Sequence, residues 1–411
     1  MQKIAIIGTG ISGLGAAHIL QNHADVILFE KAGRLGGHAR TLNIDYLGEN
    51  IAVDTGFIVF NYRNYPNLIA MFKQLNVPVK KSDMSLGLSL EGGAFEWGCQ
   101  GLNAVFAQRS NIVSPRFWLM IKDIMRFNKQ VHQFKDSDFS LGEVLAKLKM
   151  GDDFKHRFLL PTAGAIWSSS PHQILDFPAS SFIKFFDNHG LLSVNGQPQW
   201  WTVDGGSIEY VKRLQANLKA DIRLNNPVHN ISRTEDGVLV NGELFDQVII
   251  AAHSDQALQM LVDASDEERG ILSKMRYQSN VAYLHRDESL MPKRRASWAS
   301  WNYLCGEAVD ENSHMQVTYW MNRLQSIDKN KPLFVTLNPN TKPKDELIFD
   351  QTTFEHPIYD GGMIAGQKAM QSIQGKNKVW FCGAYHHNGF HEDGLRSAVE
   401  VAQMMGVSLP W

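Results

Sequence analysis

The sequence predicts an α/β fold organised around a parallel-sheet βαβ unit of the dinucleotide-binding kind, and three observations carry that prediction. An apolar run, Lys3-Ile4-Ala5-Ile6-Ile7, leads straight into Gly8-Thr9-Gly10-Ile11-Ser12-Gly13. A second apolar run, Val26-Ile27-Leu28-Phe29, ends at an acid, Glu30. Two further runs of buried-strand type, Val248-Ile249-Ile250-Ala251-Ala252 and Val379-Trp380-Phe381-Cys382-Gly383, recur far along the chain. Short apolar runs of this length suit strands covered on both faces, so the sheet is expected to be assembled from separated pieces.

The first strand ends where the glycines begin. Gly8 permits a tight turn, Gly10 lets the backbone approach a pyrophosphate, and Gly13 allows close helix–strand packing. Leu14-Gly15-Ala16-Ala17-His18-Ile19-Leu20 continues as a helix whose N-terminus, with free N–H groups and partial positive charge, suits a phosphate. Glu30, at the end of the second strand, is placed to accept both ribose hydroxyls of an adenosine and would repel a 2′-phosphate. The loop after it, Lys31-Ala32-Gly33-Arg34-Leu35-Gly36-Gly37, offers an arginine for the phosphates and glycines that give the backbone room beside a cofactor. Together these segments read as the docking site for the ADP half of FAD. The contact candidates in this half are Gly8, Gly10, Ile11, Ser12, Gly13, Glu30, Lys31, Arg34, Gly36, Gly37 and His38.

At this point the chain resembles the glutathione-reductase-like flavoproteins, and within them the flavin amine oxidase-like group. The group usually carries a second arginine after the glycine pair, where this chain has His38. The resemblance implies a discontinuous Rossmann domain binding FAD non-covalently, and it assigns the flavin half. Ile51 to Ile58 would pass the ring, with Gly56 allowing close approach and Phe57 facing it. Asn225-Asn226-Pro227-Val228-His229-Asn230-Ile231 would be the strand that meets the adenine, with Val228 the contact. After Gly383, where related proteins usually have an acid and this chain has Ala384, the stretch Gly389 to Ala398 opens a final helix whose start would aim N–H groups at the flavin, with Gly394 and Leu395 the contacts. Cys382 precedes that turn and reads as a small buried residue. Gly237 to Gly242 gives a hairpin signal.

The 411 residues allow two or three domains, and 44% hydrophobic content supports a large core. The FAD-binding domain is expected over 1–79, 200–278 and 362–411. The two insertions, 80–199 and 279–361, are expected to form one α+β substrate domain, a mixed sheet plus helices. The first insertion opens with strand-like pieces and becomes helical, amphipathic from Pro115 to Lys129 and from Leu141 to Leu148. The second reads as strands at Val281–Leu284, Met315–Trp320 and Leu333–Leu337. A formal net charge of −2 gives no case for nucleic acid. Cys99, Cys305 and Cys382 are scattered, with neither a disulfide framework nor zinc spacing. A strand starting at residue 3 leaves no room for a signal peptide, and no apolar run approaches the roughly 18 residues of a membrane span. A cytoplasmic protein is expected, peripheral at the inner face of the membrane where it meets lipid.

A narrower resemblance rests on Asn64-Tyr65-Pro66-Asn67, Ser82-Asp83-Met84-Ser85, Phe95-Glu96-Trp97-Gly98, Ala165-Ile166-Trp167-Ser168 and Asn195-Gly196-Gln197-Pro198-Gln199-Trp200. This set is similar to the flavoprotein region fused in front of plant cyclopropane fatty acid synthases and to its stand-alone bacterial counterparts. It implies oxidoreductase chemistry, a desaturation, on unsaturated or methyl-branched acyl chains of phospholipids; a non-catalytic flavoprotein serving a lipid-modifying methyltransferase as partner is an alternative. Ser180 to Phe186 and Phe117 to Ile121 offer apolar surface for an acyl tunnel, or plain helix core. Pro292 to Trp301 combines three cations with two tryptophans, suited either to an anionic membrane surface or to a solvated loop. Amine oxidation and non-redox double-bond isomerisation remain alternative activities. No metal site is expected. The catalytic base is open; His386, His387 and His391 are the candidates, since histidine titrates near neutral pH.

Overall fold

The structure, a computed structural model, describes residues 1–167, 171–193, 197–306 and 316–411. Ser168, Asn195 and Gly196 of the motifs above, and Met315, lie outside the described residues. Five parallel strands form the central sheet in the order Asp221–Arg223, Ala24–Phe29, Gln2–Ile7, Gln247–Ile250, Val379–Phe381. Alternate side chains of the first strand explain why both faces must be covered. Ile4 and Ile6 pack with Ala16, Ala17 and Leu20 of the helix Ile11–Leu20, whereas Ala5 and Ile7 join a separate cluster with Val238, Val240 and Phe245. The latter come from a small antiparallel sheet, Ile231–Arg233, Val238–Val240 and Glu243–Phe245. Its hairpin turns at Asn241 and Gly242, both at positive φ (48° and 85°), the Asn-Gly pairing that matches strand twist.

The final helix, His391–Met404, lies on the first. Gly15 allows the crossing: a Cβ there would fall 2.4 Å from Leu395 Cδ1. Cys382 packs into this layer with Ile249 and Ala398, and burial pushes its thiol up to about 12.

A seven-stranded mixed sheet runs Ile348–Pro357, Tyr277–His285, Phe334–Leu337, Gln316–Trp320, Trp301–Leu304, Leu86–Leu90, Phe95–Gly98. Its one parallel pairing, Trp301–Leu304 with Leu86–Leu90, joins the two insertions. Helices Pro115–Gln130, Leu141–Lys147 and Ala179–Asn188 contribute Phe117, Leu145 and Phe182 to a core shared with Leu88 and Trp97 of that sheet. Two of the expected domain limits fall inside strands. Val79–Ser82 pairs with Trp200–Val203, and Tyr277–His285 runs through residue 278.

The stretch Pro292 to Trp301 does not present its tryptophans to a surface. Trp298 is buried and donates from Nε1 to the Pro292 carbonyl at 2.7 Å, and Trp301 packs edge-on against Tyr319. Arg294 is held by the fully buried Glu96 carboxylate at 2.8 Å. Among the described residues no helix is long and apolar enough to cross a membrane.

Candidate cofactor and substrate site

The nucleotide end is built where the first two strands finish. Helix Ile11–Leu20 begins at Gly10, which has no side chain to cap it, so its first N–H groups stay open. A Cβ at Gly10 would meet nothing within 4 Å, whereas one at Gly13 would lie 1.9 Å from the Gly8 carbonyl oxygen. Gly10 thus fronts free space, and Gly13 locks the helix onto the turn. Gly36 N–H donates to the Thr9 carbonyl at 2.9 Å, and Gly37, at φ 57°, comes so near that a Cβ would sit 3.0 Å from Gly10 Cα. Glu30 receives Thr9 N–H (3.0 Å) and hydroxyl (2.6 Å) on one oxygen and Ala32 N–H (2.9 Å) on the other. Its remaining lone pairs are those a ribose diol would use. An open cradle of N–H donors, flanked by a fixed carboxylate, fits an adenosine diphosphate.

Glu30→Ala should weaken FAD binding about ten- to a hundredfold, the range for losing hydrogen bonds to a charged acceptor. Titration of the apoprotein with FAD, followed by flavin fluorescence, checks this; unchanged affinity would remove the adenosine from this position.

Arg34 folds back onto its own loop, donating to the Gly37 carbonyl at 2.9 Å, and Lys31 is exposed. The stretch 225–230 is irregular, and a strand begins only at Ile231. It still runs along the acid's loop, since Asn226 N–H donates to the Glu30 carbonyl and Asn225 N–H to that of Ala32, which keeps Val228 at the nucleotide end.

The other end forms where residues 38–57 meet the final helix. A Cβ at Gly56 would lie 2.1 Å from the His38 carbonyl oxygen, which also accepts Phe57 N–H at 2.8 Å. Phe57 stacks on His391 at 3.8 Å between centroids. Gly394 would carry a Cβ 2.8 Å from Ile11 and 2.9 Å from Ser12 Oγ, so the two helix starts touch there. Its N–H, expected to face the flavin, instead donates to the Phe390 carbonyl at 3.1 Å. The helix begins at His391, within the stretch expected to open it, and its open donors are the N–H groups of His391, Glu392 and Asp393. Leu395 faces Gly15 in the core, and Gly383 N–H is taken by Ser397 Oγ at 2.8 Å.

His38, in place of the second arginine, packs against Phe354, His356 and His253 at 5.1–6.3 Å. Burial holds all three imidazoles below their ordinary pKa, His356 at about 4, so the cluster is neutral at pH 7. His253, two residues past the Ala251 carbonyl that closes on Gly8, has a buried Nδ1 with no partner among the described residues. Nothing in the sequence marks it except its place at the end of a buried strand.

The three candidate histidines are not brought together. His391 is held by the Tyr210 hydroxyl at 2.7 Å, and burial lowers its pKa to about 3. His387 pairs with Glu400 at 3.1 Å. His386 is also lowered to about 3 by burial, and its buried Nε2 has no partner among the described residues. Beside the helix start stands an aromatic wall that motif reading did not assemble. Phe390 stacks on Phe185 at 5.1 Å, Phe185 on His189 at 3.9 Å, and Phe186 on Phe182 at 4.0 Å. Burial lowers His189 to about 4. The hydroxyls of Tyr359 and Tyr385 are buried nearby without partners among the described residues; Gly389, at φ 86°, allows Tyr359 to approach. Among the described residues no cluster of His, Cys, Asp or Glu has metal-holding geometry.

The chain matches the family of flavin-containing amine oxidoreductases over residues 11–294. No curated protein matches it. Among solved structures it is similar to the conjugated-linoleic-acid-producing fatty acid isomerase from P. acnes (15% identity, 99% of each chain, TM-score 0.68). It is also similar to putrescine oxidase (15%, 98% of this chain and 99% of that one, TM-score 0.66) and to cyclohexylamine oxidase from Brevibacterium oxydans IH-35A (14%, 98% and 99%, TM-score 0.64). At such identities the likeness is one of fold. The match over more than half of the sequence, on a scaffold whose glycine turns and helix starts leave room for a dinucleotide, places the chain in the flavin-containing amine oxidoreductase family as an FAD-dependent oxidoreductase.

Proposed function

We propose that this enzyme acts on the acyl chains of lipids, unsaturated or methyl-branched, by dehydrogenation. The observation that carries the reading is the aromatic group beside the final helix, where the half-buried Phe390 and His189 stack on Phe185 and His189 is uncharged at neutral pH. Such side chains offer an alkyl chain dispersion contacts and no charge to desolvate. Bound FAD would take a hydride from the substrate carbon while a base takes the proton, leaving a C=C bond. The chain's own part is placement. Gly56 and Gly394 let the chain at His38 and the first helix pack close, Phe57 braced by His391 and Tyr210 fixes one side, and the open N–H groups of His391, Glu392 and Asp393 favour negative charge at that end.

A second reading, a double-bond shift with no net redox, has a specific observation in its favour. His386, His391 and His189 are all weak bases here, and a hydride removed and returned along the chain needs no proton acceptor.

Anaerobic addition of phospholipid carrying monounsaturated or methyl-branched chains separates the two. Stoichiometric loss of the visible flavin band, with a two-hydrogen mass decrease in the lipid, is expected. Rearranged product without bleaching replaces dehydrogenation by isomerisation. Turnover of alkyl amines with inert lipids would overturn both.

A further inference from the structure

Half of the chain's large exposed apolar side chains are gathered in one short region. Of the twelve among the described residues, Leu102, Ile112, Val113, Trp118, Leu119 and Met125 lie within the helical insertion. Val113 is 81% exposed and Leu119 60%. Ile112, Val113 and Trp118 are neighbours. Trp118 donates from Nε1 to the Ile112 carbonyl at 2.9 Å, which fixes the loop bearing Ile112 and Val113 beside the helix Pro115–Gln130. That bond satisfies the indole's polar atom and leaves its ring half exposed.

Along the helix, Trp118, Lys122, Met125 and Lys129 recur at spacings of four, three and four, so they share one outward face. Phe117, Met120 and Phe127 occupy the opposite, buried face. An amphipathic helix with its outward face half apolar departs from the ordinary pattern, in which that face is polar.

Charge singles out the same region. Residues 101–135 hold Arg109, Arg116, Lys122, Arg126, Lys129 and Lys135 against one carboxylate, Asp123, in a chain whose formal net charge is −2. Arg126 is paired with Asp123, and Arg116 reaches Asp153 from the neighbouring turn. Lys122 and Lys129 have no ion pair among the described residues and stand on the apolar face itself.

We propose that this patch docks the enzyme on an anionic phospholipid surface: Ile112, Val113, Trp118 and Leu119 enter the headgroup boundary while Lys122 and Lys129 meet lipid phosphates. Exposed aliphatic and tryptophan side chains ringed by lysines have the composition that lies in a membrane interface. In the stretch 292–301, by contrast, Trp298 is buried and Trp301 is half-buried against Tyr319. It stands independently of the acyl-chain reading.

The test is co-sedimentation of the FAD-loaded, full-length protein with vesicles of phosphatidylcholine containing phosphatidylglycerol, against phosphatidylcholine alone. The parent is expected to partition to the anionic vesicles and to be released by salt. Lys122→Glu and Lys129→Glu should each cut the partition coefficient about fivefold or more, the worth of one cation near such a surface. Trp118→Glu with Leu119→Glu should abolish partition, while Leu244→Glu, exposed elsewhere, should leave it unchanged. Retained flavin absorbance shows that each variant is folded. No partition at low salt, or partition indifferent to these substitutions, overturns the proposal. So does a dimer that the same variants dissociate in the absence of vesicle binding, which would make the patch an interface between copies.

Discussion

Gly10→Val should yield a folded, soluble and colourless protein whose affinity for FAD is reduced at least a hundredfold, or about 2.7 kcal/mol. The two halves of that expectation have separate causes. Gly10 has φ −66° and ψ −177°, backbone that any residue adopts, and a Cβ there meets no neighbour within 4 Å. Valine is therefore accommodated without disturbing the first helix. The same free space is where the open N–H groups of that helix would meet a pyrophosphate, and a branched side chain fills it. Gly13→Val is the contrast. Its Cβ would overlap the Gly8 carbonyl at 1.9 Å, so the turn itself must break. That variant should be poorly soluble or strongly destabilised with or without cofactor. Thermal unfolding of the three apoproteins, followed by FAD titration, distinguishes the cases. A yellow Gly10→Val protein with parental affinity would show that the diphosphate does not lie against this helix.

The nucleotide end was legible because its logic is local. Strand, glycine turn, helix and acid lie within the first thirty residues, and each residue type answers to a backbone requirement that short-range sequence displays. The ring end was half legible. Gly56, Phe57 and Gly394 do converge there, yet the open N–H groups belong to His391, Glu392 and Asp393. The helix starts at His391, after Phe390, whose N–H is held by the Asp393 carboxylate at 2.9 Å, and the glycine motif gives no sign of that cap. What the sequence concealed was long-range. The tryptophans of 292–301 look surface-bound beside three cations, but Glu96, nearly two hundred residues earlier, draws Arg294 down and Trp298 packs against Phe334. The pairing of Leu86–Leu90 with Trp301–Leu304, and the wall joining Phe185 to Phe390, likewise depend on contacts that no local pattern encodes. His38 was visible as a departure from its group; the neutral cluster it enters was not, because His253 comes from the turn before the helix Ser254–Met260 and His356 from the distant strand Ile348–Pro357.

Asp54→Ala should destabilise the protein by about 1–3 kcal/mol or more, the cost of leaving buried donors without their acceptor. The carboxylate is fully buried and accepts from the Thr41 hydroxyl, from the Ser207 N–H (2.9 Å) and hydroxyl (2.7 Å), and from Gln325 Nε2 (2.9 Å). Ser207 begins the helix Ile208–Asn217, so the charge also sits at a helix N-terminus. Gln325 closes the circuit by accepting Asp54 N–H at 2.9 Å. Three distant segments meet on one side chain, three residues before the Phe57 that braces the ring end. Removing it should therefore lower FAD affinity as well as the melting temperature. Asp54→Asn is the finer probe. All its neighbours are donors, and an amide nitrogen would face Ser207 N–H or Gln325 Nε2, so destabilisation persists in weaker form. The amide also removes a proton. Burial, outweighing these hydrogen bonds, raises Asp54 from its ordinary value to about 6. The folded protein then holds a proton that the unfolded chain has released between about pH 4 and 6, and this group's contribution to stability falls as pH rises through that window. Asp54→Asn should flatten that part of the stability–pH curve. Glu392 and Asp393, raised likewise to about 6 by burial, should keep the remaining slope of the same sign. Denaturant unfolding of parent and variant at pH 4.5, 6 and 7.5, chosen to straddle the roughly two units between free and buried carboxyl, checks both claims. A variant as stable as the parent, with an unaltered pH slope, would mean that Thr41, Ser207 and Gln325 are held in place without this carboxylate.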